Sequence, residues 1–162
     1  MSATRPYPAG DWGAEPSSLA PAAPPRQVRR LMLTGVPGSV SRAREFTRRA
    51  LHDWGWLPAE TPEGRAAAED ALLVVSELVT NACLHAGGPE ELRIAHAAKL
   101  LRVEVADRGE GGPELQTSRR AGRPGGHGMF IVQRLCLDWG TIRDADSGQK
   151  TVWAELASPE AS

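Results

Sequence analysis

Between Thr61-Pro62-Glu63 and Gly87-Gly88-Pro89 the chain runs AAAEDALLVVSELVTNACLHA without a helix breaker. No other stretch restricts the fold as much. Thr61 supplies an N-cap oxygen, Pro62 a first helical residue that needs no amide partner, and Glu63 a negative charge at the positive end of the helix dipole. The Gly-Gly-Pro that follows is a stop. A helix of this length, with Leu78, Val79, Ala82 and Leu84 as apolar bulk, needs a second layer to pack against. The same helix places Glu77, Asn81 and His85 at intervals of four. At 100° per residue these positions drift only about 40° per step, so they form one polar stripe.

The remaining elements say what that layer is. Residues 28–34, VRRLMLT, have the content of a strand and end at the turn Gly35-Val36-Pro37-Gly38. A helix is predicted next, with Ser39 or Ser41 as N-cap and Val40, Ala43, Phe46, Thr47, Ala50 and Leu51 as its stripe. Arg42, Arg44, Arg48 and Arg49 fall largely off that stripe, which leaves a solvated face or a basic partner surface open. Residues 92–97 and 100–106 alternate as two strands about Ala98-Lys99, a hairpin. The second strand runs into Asp107-Arg108-Gly109-Glu110-Gly111, and residues 108–126 are glycine-rich without periodicity. Met129, Ile131, Val132, Leu135, Cys136 and Leu137 predict a further helix closing near Gly140. Two strands follow, around residues 141–143 and 151–156, flanking the turn at 145–148.

The order strand, helix, helix, strand, strand, loop, helix, strand, strand predicts an α/β (α+β) two-layer sandwich. A mixed, mostly antiparallel sheet would carry three helices on one face. It is not the regular β-α-β-α alternation of a doubly wound nucleotide fold.

At 162 residues the chain suits one domain. Residues 1–27 are interrupted by Pro6, Pro8, Pro16, Pro21, Pro24 and Pro25 and read as a disordered arm. Residues 28–157 form the domain, and 158–162 a tail. With 19 Lys+Arg against 20 Asp+Glu the net charge is -1, which gives no electrostatic case for direct nucleic-acid or membrane binding. The N-terminus lacks a signal-peptide apolar run, and no stretch of about 18 apolar residues occurs, so a cytoplasmic protein is expected. Cys83 and Cys136 lie in apolar, helix-like segments with no CxxC spacing and read as buried, reduced thiols.

Three segments carry chemistry. In the long helix, a buried carboxylate and amide would each cost a few kcal/mol without partners. From the helix alone two readings stay open: the exposed side of an amphipathic helix, or a site in which Asn81 offers Mg²⁺ a hard oxygen and Glu77 serves as general base. In DRGEG, an acceptor-only Asp107 at a strand end could take a hydrogen bond from an exocyclic amine, with Gly109 and Gly111 letting backbone approach a flat ligand. An ordinary turn fits as well. In GGHGM, the residues Gly126, His127, Gly128 and Met129 open a helix whose bare amides suit a phosphate. No P-loop sequence occurs.

Together, ExxxNxxxH on a long helix, DxGxG after a strand and GxGM at a helix start resemble the three nucleotide-binding boxes of the GHKL (Bergerat-fold) ATPase/kinase superfamily. The short form, with SELVTNACLHA and a last strand reading GQKTVWAEL, is most similar to the single-domain anti-sigma-factor serine/threonine kinases. The resemblance spans residues 28–157. It implies ATP and Mg²⁺ as cofactors, with Asn81 coordinating the metal, Glu77 as catalytic base and His85 near the phosphates. It implies Asp107 on the adenine amino group, Gly109 and Gly111 along the base, and Gly126, His127, Gly128 and Met129 in the phosphate-covering loop. Thr151 matches the threonine that supports the adenine aspartate, although the usual GxGT reads GQKT here. The implied activity is phosphorylation of a STAS-domain anti-anti-sigma factor. The alternative is a non-catalytic, ATP-bound module that sequesters a sigma factor or another regulator. A homodimer is a further expectation. A histidine kinase fits less well, since His52 has no two-helix context, and topoisomerase or chaperone roles need further domains.

Overall fold

The computed structural model describes residues 27–84, 88–97, 99–108 and 126–159. Expectations for the arm at 1–26, for His85, for the Ala98 turn position, for Gly109 and Gly111 and most of the 108–126 segment, and for 160–162 lie outside these residues.

Strand β1 (Gln27–Met32) leads through a turn to α1 (Ser39–Asp53) and α2 (Pro62–Leu84). Strands β2 (Pro89–Ala97) and β3 (Leu100–Asp107), helix α3 (Gly126–Leu135), and strands β4 (Asp138–Arg143) and β5 (Lys150–Ala157) complete the order. The five strands form one sheet in the order β1-β2-β3-β5-β4, and each pairing is antiparallel. This is the two-layer α/β architecture the element order implied. Helix α2 lies between α1 and α3 and packs on β2, β3 and β5.

The core lies between the layers. Val74, Val75, Leu78 and Val79 of α2 meet Leu92 and Ile94 of β2, Leu101, Val103 and Val105 of β3, and Val152, Ala154 and Leu156 of β5. Each fully buried Val or Leu contributes about 1.5–3 kcal/mol, which is why the strands alternate with period two. The alternate positions carry polar groups. Arg102, 1% exposed, reaches Glu104 at 2.7 Å and Glu155 at 2.9 Å and lies 4.5 Å from the centre of the Trp153 ring. A Cβ at Gly140 would stand 3.0 Å from the same ring, so β4 needs glycine there.

Three local expectations change. The N-cap of α1 is Gly38, at φ 66°, with no side-chain cap bond, and Ser39 Oγ turns back to the Val36 carbonyl at 3.2 Å. A left-handed glycine serves where a serine was expected. Helix α3 stops at Leu135, and β4 begins at Asp138, so Leu137 and Gly140 belong to the strand side of the junction. The Leu137 amide there donates to the Glu155 carbonyl at 2.7 Å. Cys83 is exposed and Cys136 partly buried, so the paired expectation of buried thiols fails for Cys83, which falls on the outer side of the last turn of α2. The Thr61 cap holds: its Oγ1 accepts from the Gly64 amide at 2.9 Å. Of the α1 arginines, Arg44 ties the helices together, donating to Ser76 Oγ at 2.7 Å.

Candidate functional site

Helix α2 brings two of the expected side chains to one side. Leu78, Val79 and Ala82 bury the helix on the core, and the four-residue spacing then sets Glu77 and Asn81 on a neighbouring stripe. Glu77 is half-buried. Asn81 is 6% exposed, and its Oδ1 is fully buried and accepts no hydrogen bond among the described residues. An orphaned amide oxygen of this kind costs roughly 1–3 kcal/mol, so the fold keeps a hard oxygen donor unsatisfied on its core helix. Ser76, next to Glu77 in the chain, donates to the Leu72 carbonyl at 3.0 Å.

Asp107 ends β3 and is 1% exposed. A row of antiparallel partners crosses the sheet at this level: Pro89, Asp107, Lys150 and Arg143. Glu90 braces the row from one side, since its carboxylate accepts from Gln149 Nε2 at 3.0 Å and pairs with Arg108 Nε at 3.4 Å. From the other end, Asp144 shapes the β4–β5 turn by accepting from the Asp146 amide and from Ser147 Oγ, each at 3.0 Å, before Gly148 at φ 78°. The residues next to Asp107 and Lys150 are thereby held on both strands.

Thr151, which the resemblance sets beside the adenine aspartate, is nearly buried on β5. It pairs with Ala106, one position out of phase with Asp107. Adjacent residues of a strand face opposite sides, so Thr151 stands on the face away from the core while Lys150 stands across from Asp107. Lys150 and Glu90 are what sequence reading missed. The QK in GQKT was the only available signal for Lys150, and Glu90 had none.

Gly126, His127 and Gly128 form the first turn of α3, and Met129 is fully buried against the core. The N-terminal amides of this helix are where a glycine-opened helix presents them, while the His127 side chain is outside the described residues. Met129 thus anchors the start of α3. A cleft of ≈ 310 Å³ lies nearby, lined by Cys83 of α2, Gly88 and Pro89 at the start of β2, and Leu33, Gly35 and Val36 of the β1–α1 turn. It joins the end of α2 to the strand opposite Asp107 and contains none of Glu77, Asn81 or Asp107.

Among the described residues no group of three His, Cys, Asp or Glu could hold a metal by itself, and no helix is long and apolar enough to cross a membrane. The donor set nevertheless fits Mg²⁺, which takes oxygen ligands and is commonly held by one or two protein groups plus phosphates and water. Asn81 Oδ1 is such a ligand without a competing partner.

Residues 34–156 match the family described as "Histidine kinase-like ATPase domain". That span covers most of the chain and contains all the site residues above, and the chain belongs to this family of ATP-binding domains. No curated protein matches it.

Proposed function

We propose that the protein is an ATP-dependent serine/threonine kinase of the anti-sigma type, transferring the γ-phosphoryl group of ATP to a hydroxyl of a STAS-domain anti-anti-sigma factor in the cytoplasm. The observation that carries the reading is the buried, unsatisfied Oδ1 of Asn81. Mg²⁺, when bound, supplies charge neutralisation to the phosphates. Asn81 would hold it through that oxygen. Asp107 accepts the hydrogen bond of the adenine amine at the other end of the site. The first amides of α3 face the phosphate oxygens, where helix-end donors are favoured.

Glu77 stands one turn before Asn81, half-buried, with no hydrogen bond or ion pair to its carboxylate among the described residues. It takes the proton of the incoming hydroxyl as that oxygen bonds to phosphorus and the bond to the β-phosphate oxygen breaks. Position and charge complementarity then account for most of the rate.

The test is incubation of purified protein with labelled ATP and its STAS partner. Transfer to the partner is expected, with Glu77→Gln retaining nucleotide binding and losing transfer by about 10²-fold or more. ATP binding with no transfer refutes the kinase reading and supports a nucleotide-bound module that sequesters a sigma factor.

A further inference from the structure

Alternate residues of a strand point to opposite faces. Arg102, Glu104 and Ala106 of β3 and Thr151, Trp153 and Glu155 of β5 stand in register on the face turned away from the helices, and β2 adds Arg93 and Ala95. All three helices bury their apolar residues against the other face. Among the described residues no helix or strand lies over this one, so it should meet water, as Met32 of β1 does at 61% exposed. It does not: Arg102 is 1% exposed, Glu104 5%, and Thr151 and Trp153 6% each. Part of that cover is mutual, since Arg93 pairs with Glu104 and Arg102 with Glu104 and Glu155, over the Trp153 ring. A network lying flat on a sheet still has an outer side. Arg102 and Trp153 each hold a further interaction besides these, and burial within one chain requires cover by that chain.

Length decides which segment can supply it. Residues 85–87, 98 and 160–162 are too short, and 109–125 run from the end of β3 to the start of α3, in the helical layer. Residues 1–26 join the chain at Gln27, the first residue of edge strand β1. The next residue, Val28, begins the row that crosses the sheet through Ala95, Arg102 and Glu155. From β1 to β5 is three strand spacings, about 14 Å, which about five extended residues at roughly 3.1 Å each span. We propose that residues 1–26 fold back over the outer face of the sheet as a third layer, with the proline-rich stretch 16–25 seated on Trp153 and Arg102. Proline rings suit aromatic surfaces, and a proline-rich segment loses less freedom on docking than an ordinary one. Arg5 and Arg26 against Asp11 and Glu15 leave the arm without net side-chain charge, which suits a face whose ions are already paired.

The full chain with Leu19 replaced by the photo-cross-linker p-benzoylphenylalanine tests this, read by peptide mass mapping after irradiation. Leu19 lies in the arm, outside the sheet and the helices. Peptides of β3 and β5 should be captured about tenfold or more over those of α1 and α2, as an arm committed to one face requires. An arm tethered at an edge strand with no docking face reaches both sides alike, so near-equal capture overturns the proposal. Capture of β1 alone, or none, does the same. Mixing isotope-heavy and light chains identifies the source: capture of β3 and β5 only between different chains would mean that a second copy covers the face, and also overturns the proposal. None of these outcomes bears on the ATP reading.

Discussion

Replacing Asn81 with leucine should stabilise the ligand-free protein while disabling its site. Leucine shares the branching of asparagine at Cγ, so it fits the same space beside Leu78, Val79 and Ala82, all essentially buried. The substitution removes the buried Oδ1 that has no hydrogen-bond partner. Relief of such an atom is worth about 1–3 kcal/mol. Taking about 1.5 kcal/mol as net, and roughly 3 °C per kcal/mol for a chain of this length, Tm should rise by about 5 °C. Added Mg²⁺ and ATP should reverse the order. At a nucleotide concentration 100 times Kd, wild type gains about 2.7 kcal/mol, or roughly 8 °C, and the variant gains little. Thermal unfolding followed by circular dichroism, with and without Mg²⁺-ATP, reads both effects. A variant that melts lower than wild type without ligand, or that keeps the full nucleotide shift, would refute the reasoning. The first outcome means the amide is satisfied; the second means the metal is held elsewhere.

Other outcomes follow from particular contacts. Arg102→Met leaves Glu155 without its guanidinium and Glu104 with that of Arg93 alone and should cost about 3 kcal/mol in urea unfolding; a loss below about 1 kcal/mol would show that the network does not hold the sheet. Thr61→Ala removes the cap of the Gly64 amide and should cost about 1 kcal/mol, measured the same way. Burial first, and Asp70 second, push the Cys136 thiol from 9.0 up to about 12. The folded state therefore keeps a proton that the unfolded state sheds above pH 9, and stability should fall from pH 9 toward 12, with a shallower fall in Cys136→Ala. For the same reason iodoacetamide at pH 8 should label exposed Cys83 well before Cys136, as peptide mass mapping would show; faster labelling of Cys136 contradicts its burial.

Much of this architecture was legible because it is written in side chains. Thr61 announces the start of α2 with an oxygen, and β3 and β5 place an apolar residue at every second position, as strands with one face on the core do. What escaped reading depends on backbone and phase. Gly38 caps α1 through its left-handed conformation, which carries no side-chain signature, while two nearby serines suggest a cap that does not form. Cys136 and Leu137 extend the apolar period of α3 into a segment that sheet pairing with β5 claims. The site shows the same division. Glu77 and Asn81 stand on the helix, and Asp107 at the strand end, as the spacing of the sequence placed them. Which of Lys150 and Thr151 shares a face with Asp107 turns on a one-residue register, and a shift of one exchanges the two faces of a strand.

The placement of Asn81 on α2 has a consequence for motion. Its neighbours Leu78, Val79 and Ala82 interlock with three strands and with both flanking helices, and close-packed interiors resist small displacements. The proposed metal ligand is thus bolted to the least yielding part of the molecule. Binding need not spend free energy on organising this half of the site. Whatever the protein changes when nucleotide arrives, and whatever a partner senses of that arrival, must be expressed by segments other than α2, which acts as the fixed reference against which they move.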